Sequence, residues 1–303
     1  MNHKPKVAIL MASYNGQQWI DQQIESIFSQ KNVEVELFIR DDKSTDETIK
    51  KIKFLQKKKN INFSINSSKY RSATLNFLNL IMEAKLGKFN FFAFSDQDDV
   101  WLKYKVQNAI NAMNKNKTQA YSSNIKVKIN KKFILMNKSS NQKFYDYLFE
   151  GVTGCTIVLE RKAFSIVQKF LKKIKKKNLN KIWMHDWFIY FLLRSKNIPW
   201  YIDSNSYINY RQHDNNVFGT NFGIGINKNK IISLKKRLKI ILSGKYRKSI
   251  LDLADITKFK NDIIFKLRRY NFFDRIKLLL QTKHFRRSSI DAVLLKFILI
   301  IMK

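Results

Sequence analysis

Within the first 115 residues a short apolar run is followed four times by a helix-period segment, with only a few residues in each connection. Val7 to Met11 reads as a buried strand that breaks at Asn15-Gly16. Ile20, Ile24, Ile27 and Phe28 then recur on one helical face. "VELFIRDD" (35–42) is a second strand ending in two acids, and Ser44 with Glu47 forms a capping-box signature for a helix carrying Ile49, Ile52 and Leu55. "INFSI" (61–65) precedes a helix with Phe77, Leu80, Ile81 and Ala84; "FNFFAFSD" (89–96) precedes one with Leu102, Val106, Ala109, Ile110 and Met113. Such alternation predicts an α/β domain whose mostly parallel sheet is covered on both faces. Polar clusters follow strand one (Ser13, Tyr14, Asn15), strand two (Asp41, Asp42) and strand four (Asp96, Asp98, Asp99). All fall at carboxyl ends of parallel strands, the edge where open α/β sheets bind ligands. Three clusters on one edge make a site.

The last cluster, in "FSDQDDVWL" (94–102), crowds three carboxylates that must repel one another unless something positive neutralises them. Hard oxygen donors without clustered thiols or histidines suit Mg²⁺ or Mn²⁺, ions that usually share their shell with substrate phosphates. The expected counter-ion is therefore a divalent metal carrying a diphosphate. The lone Cys155 excludes an intrachain disulfide and a cysteine metal cluster.

The second half is less regular. "TGCTIVLE" (153–160) reads as a strand, "HDWFIYFLLRSK" as a helix starting near Asp186, and "IPWYI" and "SYINYRQH" as two further strands. From about Asn227 the pattern turns to basic amphipathic helices, with Ile231, Ile232, Leu238, Ile241 and Leu242 on the apolar side. The predicted division is a domain over 1–225 and a helical extension over 226–303. Against 58 Lys and Arg the whole chain has 23 acids, and the extension alone holds 21 against 5, more than double the charge density of the body. Basic clusters beside apolar stripes point to an anionic membrane surface; packing on the main domain or a homo-oligomer interface remain alternatives. Residues 1–6 do not resemble a signal peptide, and the longest apolar run, 292–302, is far below the ~20 residues that span a bilayer. The expected location is the cytoplasm, at the inner face of the membrane.

"VAILMASYNG" (7–16), "FIRDDKSTDET" (38–48), "FSDQDDVW" (94–101) and "HDWF" (185–188) stand in the order found in inverting glycosyltransferases of family 2, with the GT-A fold, and the chain resembles that family over roughly residues 5–220. The S-D-Q-D-D-V-W block and a late Y-R-Q-H block (210–213) are similar to a bacterial polysaccharide branch that includes rhamnosyltransferases. The resemblance implies a nucleotide-sugar donor, with UDP- and dTDP-sugars and rhamnose among the candidates, and a surface-glycan or lipid-linked acceptor. Residue by residue it implies that Ala12 and Tyr14 line the nucleotide, Tyr14 stacking on the base, and that Asp42, with Asp41 beside it, accepts the base imide N–H. Asp96 and Asp98 would contact the donor, Asp98 and Asp99 the metal, and Arg211 the leaving-group charge. His213 would ligate the metal or close over the diphosphate, and Asp186 would be the general base. At a helix start Asp186 also fits a plain N-terminal acid. Gly151 and Gly154 would admit the acceptor. Ser72 stands where the branch often has glycine, and no Q-x-x-R-W block is present, which argues against a processive synthase.

Two other classes fit less well. A nucleotidyltransferase would need a Gly-rich, basic loop after the first strand, where this chain has "SYNGQQW". A nucleic-acid-binding protein would exploit the basic charge, but acids at the strand ends would repel a polyanion and no helix-turn-helix or zinc-finger pattern occurs; no nucleic-acid partner is expected.

Overall fold

The structure is a computed structural model that describes residues 3–129, 132–137, 142–211, 239 and 241–302. Its first half runs β1 (Lys6–Ser13), α1 (Ile20–Phe28), β2 (Glu34–Asp41), α2 (Thr48–Gln56), β3 (Ile61–Ile65), α3 (Ala73–Glu83) and β4 (Phe91–Ser95). β1 lies between β2 and β4, parallel to both, and β2 pairs with β3, also parallel. Coverage of both faces explains why β1 and β4 are apolar almost throughout. Val7, Ile9 and Met11 face a core shared with Ile20, Ile24 and Ile27 of α1, while Ala8 and Leu10 face the opposite core, with Phe77 and Ile81 of α3.

The second half contributes β5 (Val100–Trp101), α4 (Lys105–Asn116), β6 (Ala120–Ile129), β7 (Lys132–Met136), α5 (Asp146–Phe149), β8 (Val158–Glu160), α6 (Arg161–Lys173), α7 (Lys176–Leu179), α8 (His185–Ser195) and β9 (Trp200–Tyr210). The strands join one curled mixed sheet in the order β3-β2-β1-β4-β8-β6-β9-β5, with β7 on β6. β8 runs antiparallel to β4, β6 and β9 are parallel, and β6–β7 is an antiparallel hairpin absent from the sequence reading. Trp187 to Leu193 of α8 are all buried, because this helix has the sheet side on one flank and the C-terminal helices on the other.

Several local expectations are corrected. The Ser44–Glu47 capping box does not form: α2 begins at Thr48, and the Ser44 hydroxyl donates to Asp41 instead. Only 158–160 of "TGCTIVLE" is strand; Gly154–Thr156 is a 3-10 turn, since Gly154 must yield to α8 packed against it. "IPWYI" and "SYINY" form one strand, β9, whose pairing with β6 shifts register near Asn124. Ile231, Ile232, Leu238 and the expected boundary at 225/226 lie outside the described residues.

The extension comprises α9 (Lys245–Thr257), α10 (Asp262–Arg269), α11 (Phe272–Leu280) and α12 (Ser289–Ile301). Asn261, Asn271 and Ser288 cap the last three by accepting from backbone N–H groups three residues on. Ile250, Leu253, Leu267, Leu278 and Leu295 belong to the same apolar core as Phe149, Trp187 and Phe191, so the extension completes the wall around α8. A polar strap secures it. The Arg287 backbone N–H and Nε both reach Glu150 Oε1 (2.8 and 2.9 Å), its guanidinium also hydrogen-bonds the Gly151 carbonyl, and Asp146 lies 3.9 Å away, fully buried.

Candidate active site

The sheet register brings the polar clusters together. Ser13 is level with Asp41, and Met11 with Ser95, so the ends of β1, β2 and β4 form one edge. Asp41 is buried and accepts hydrogen bonds from the Ser13 hydroxyl, the Ser44 N–H and the Ser44 hydroxyl, each at 2.7 Å. This ties the loop after β1 to the loop after β2. Asp42 turns the other way and accepts from Tyr70 N (2.6 Å), Arg71 N (2.8 Å) and Asn66 Nδ2 (3.0 Å), holding the 66–71 loop over the end of β2. Ala12, paired with Arg40, is half-buried beneath this edge. Tyr14 is 40% exposed, with the Lys69 ammonium 4.3 Å from its ring centroid and hydrogen-bonded to its hydroxyl. An exposed ring with a cation beside it at the mouth of a strand-end site is a ready stacking surface for a planar group.

The acidic loop is set by residues that composition does not reveal. Gln97 exchanges two hydrogen bonds with the Tyr14 backbone, accepting from its N–H and donating to its carbonyl, both at 2.9 Å. Gly16 makes room for this clamp: a Cβ there would lie 2.4 Å from Gln97 Oε1. Gln23, fully buried on α1, donates to Ser95 Oγ (2.7 Å) and to the Asp96 carbonyl (3.1 Å). These contacts fix the loop at both ends.

Ligand atoms of Asp96, Asp99 and Cys155 lie within 4.8 Å of one another. Asp99 is fully buried; Oδ1 accepts weakly from Arg211 N at 3.4 Å, and Oδ2 has no hydrogen-bond partner among the described residues. Burial, then the charge of Asp98, pushes the Asp99 carboxyl up to about 7. Asp96 is pushed well up by burial and by the charges of Asp99, Asp98 and Asp186. The structure thus gathers all four acids into one field. Cys155 is buried among them, and burial with the nearby carboxylates raises its thiol well above the usual range, so it stays protonated. A buried cation alongside is Lys105, whose ammonium sits 3.5 Å from the Trp101 ring centroid without a hydrogen-bond partner among the described residues. Burial pulls it down to about 7, against the pull of Asp99. A weakened ammonium cannot balance four carboxylates. Crowded hard oxygens, one of them orphaned, fit a divalent cation.

Asp186 occupies the first turn of α8, where its Oδ1 accepts from Trp187 N at 2.7 Å. Gly151 and Gly154 are what let α8 come this close: a Cβ on Gly151 would lie 3.1 Å from Trp187 Cα, and one on Gly154 3.0 Å from His185 Nε2 and 3.3 Å from Asp186 Cβ. Here the close approach comes from the protein's own helix. Trp187 is buried, its Nε1 donating to the Tyr147 carbonyl at 2.9 Å, and its ring stacks on Tyr246 of α9. The Arg211 guanidinium hydrogen-bonds Gln22 on α1. His213 lies outside the described residues.

A parallel sheet edge bearing these acids, on a chain with these ordered motifs, matches one family. The profile of Glycosyl transferase family 2 covers residues 8–198. The chain belongs to glycosyltransferase family 2. It is 34% identical over 299 residues to the dTDP-rhamnosyl transferase RfbG of Shigella flexneri, covering 96% of this chain and 99% of that protein. It is also 30% identical over 159 residues to the UDP-Glc:alpha-D-GlcNAc-diphosphoundecaprenol beta-1,3-glucosyltransferase WfgD of Escherichia coli, 51% of this chain and 60% of that one. Among solved structures, the mannosyltransferase PcManGT of Pyrobaculum calidifontis, in complex with GDP-Man and Mn²⁺, superposes with a TM-score of 0.52 at 10% identity, over 99% of this chain and 85% of its own. The fold is GT-A, with a basic helical extension, and the protein is a glycosyltransferase that acts on nucleotide sugars.

One histidine of the glycosyltransferase is held by ring packing. His185 stacks on Phe77 with centroids 4.0 Å apart, and its buried Nε2 has no partner among the described residues. Burial pulls its pKa from 6.5 down to about 3. The unfolded chain takes up a proton near pH 6.5 that the folded state refuses until about pH 3, so this group's stabilisation is present above 6.5 and drains as pH falls. Urea unfolding of His185→Gln should show a stability-versus-pH slope shallower than wild type by up to about 1.4 kcal/mol per pH unit in that interval. Parallel curves would contradict this reading.

Proposed function

We propose that this glycosyltransferase transfers a single sugar, by an inverting single displacement, from a dTDP- or UDP-sugar to a lipid-linked or growing surface-glycan acceptor, at the inner face of the cell membrane. Rhamnose is the favoured sugar, because a relative aligned over 96% of the chain and 99% of its own length is a dTDP-rhamnosyl transferase. The lipid-linked acceptor is supported by a partial relative that acts on a diphosphoundecaprenol substrate. The observation that carries the reading is that the charges of Asp98, Asp99 and Asp186 all bear on Asp96, beside an Asp99 oxygen with no hydrogen-bond partner among the described residues.

In this reading Tyr14 stacks on the donor base, Asp42 accepts its imide N–H, and Asp41 keeps the two loops in register. Asp98 and Asp99 would hold Mn²⁺ or Mg²⁺, with Asp96 against the donor. A bound divalent ion would supply charge stabilisation to the departing diphosphate. Arg211 adds positive charge on the same side. Asp186 takes the proton of the acceptor hydroxyl as its oxygen bonds to the anomeric carbon; the bond from that carbon to the diphosphate oxygen breaks, and its electron pair leaves with the nucleoside diphosphate. No covalent sugar–enzyme bond is required, so the anomeric configuration inverts.

Removing divalent ions with EDTA should abolish transfer and adding Mn²⁺ should restore it, with circular dichroism unchanged. Full activity in EDTA would exclude the metal. Gly154→Ala tests the approach of α8. The new methyl would make His185 or Asp186 give by a few tenths of an ångström, so transfer should fall by roughly several-fold, short of the ~100-fold that a 1 Å misplacement costs. Nucleoside diphosphate affinity, measured by calorimetry, should change little. Wild-type turnover in this variant would show that Asp186 does not need its present position.

A further inference from the structure

The C-terminal helices expose an apolar surface that the transfer site does not use. Of twenty exposed large apolar side chains among the described residues, ten lie within residues 272–301. Isolated exposed apolar groups are ordinary, but such a concentration marks an interaction surface. α11 and α12 run antiparallel, since the Tyr270 hydroxyl donates to the Leu299 carbonyl (2.6 Å) and Arg275 to the Ile300 carbonyl (3.2 Å). Each buries a narrow stripe, Leu278 on one and Leu295 and Leu299 on the other. Their outer faces carry Phe272, Phe273, Leu280, Ile290, Phe297 and Ile300, exposed by 54% or more. Lys277, Lys283 and Lys296 stand exposed among them, and none joins an ion pair among the described residues. No helix among the described residues is long and apolar enough to cross a membrane.

We propose that the outer face of α11 and α12 docks on an anionic lipid surface, with the phenylalanines and isoleucines entering the acyl boundary and the three lysines meeting headgroup phosphates. Charge selects this occupant. A second copy would set the same lysines against each other on a chain of net charge +35, whereas an anionic bilayer complements both the apolar and the basic parts of the face. The strap from Arg287 to Glu150 and Gly151 links this surface to the segment backing α8, so docking would hold the acidic edge in a fixed attitude to the membrane. The use of this contact, meeting a lipid-linked acceptor, rests on the function proposed above; the contact itself does not.

The test is co-sedimentation of the full chain with phosphatidylcholine vesicles and with vesicles of equal parts phosphatidylcholine and phosphatidylglycerol. Binding to the anionic vesicles should be stronger by roughly 100-fold, about 5-fold for each of three lysines. Neutralising them together (Lys277→Gln, Lys283→Gln, Lys296→Gln) should remove most of that preference. Phe272→Ser with Phe297→Ser should weaken binding by about 10-fold or more, while transfer to a water-soluble acceptor analogue stays at the wild-type rate. Equal binding to both vesicles, binding to neither, or a dimer in ultracentrifugation that Phe297→Ser dissolves would overturn the proposal. Vesicle binding by a protein that transfers no sugar would sink the proposed function and leave the docking intact.

Discussion

Asp186→Asn should lower sugar transfer by at least ~100-fold, the usual contribution of a positioned general base, while donor binding stays near wild type. Asparagine keeps the size of the side chain and an oxygen to accept from Trp187 N, the 2.7 Å bond that orients the carboxylate at the start of α8. What it loses is the ability to take a proton. It also removes one negative charge from the field that raises the Asp96 carboxyl, so donor and metal affinity should hold or weaken only slightly. A fall in transfer with unchanged nucleoside diphosphate affinity identifies the base. A plain helix-capping acid would give the opposite pattern: a small loss of stability and near-normal rates.

Arg287→Ala should be the most destabilising single change in the extension. Arg287 is buried and sits between two acids, touching Glu150 directly and Asp146 at 3.9 Å. Asp146 keeps a 2.9 Å hydrogen bond from the Tyr190 hydroxyl and a longer contact with Arg194 at 3.8 Å. Burial already raises its carboxyl, against the opposing charges of Arg287 and Arg194. Removing one partner of a buried ion pair typically costs about 3–5 kcal/mol, because the other charge is left uncompensated. For a chain of this length that is roughly 5–8 °C in melting temperature. Arg287→Lys, which restores charge without the planar fork, should recover part of the loss. A melting temperature within 1 °C of wild type would mean that the strap carries no stability.

The first half of the fold was legible because β1 and β4 are buried on both faces and the helices on one, so each of these elements carries its own periodicity. The strand-end acids were legible for the same reason: apolar runs delivered them to a common edge. Cys155 was set aside as a lone cysteine, yet the turn at 154–156 brings it between Asp96 and Asp99. Gln23 and Lys105 look like ordinary helix residues, and only the packing of α1 and α4 beneath the acidic loop gives them their places. Gly151 and Gly154 carried a real signal of close approach, but sequence cannot say that the approaching group is α8. The β6–β7 hairpin was missed although Ile125, Val127 and Ile129 alternate with Lys126 and Lys128, and "TGCTIVLE" was read as a longer strand because so short a segment has too little period to separate from a turn. The Arg287 strap joins residues 136 positions apart, and nothing local announces such a contact.

The central claim is sugar transfer from a nucleotide diphosphate donor, and product analysis tests it most directly. The protein is incubated with Mn²⁺, a lipid-diphosphate glycan acceptor and a panel of nucleotide sugars that includes dTDP-rhamnose, and the phosphorus-containing products are resolved by nuclear magnetic resonance. The account predicts one nucleoside diphosphate released for each sugar transferred, from dTDP-rhamnose in preference to the others, with the anomeric configuration inverted and no turnover in Asp99→Ala. Release of sugar 1-phosphate, retention of configuration, or undiminished turnover in Asp99→Ala would contradict it.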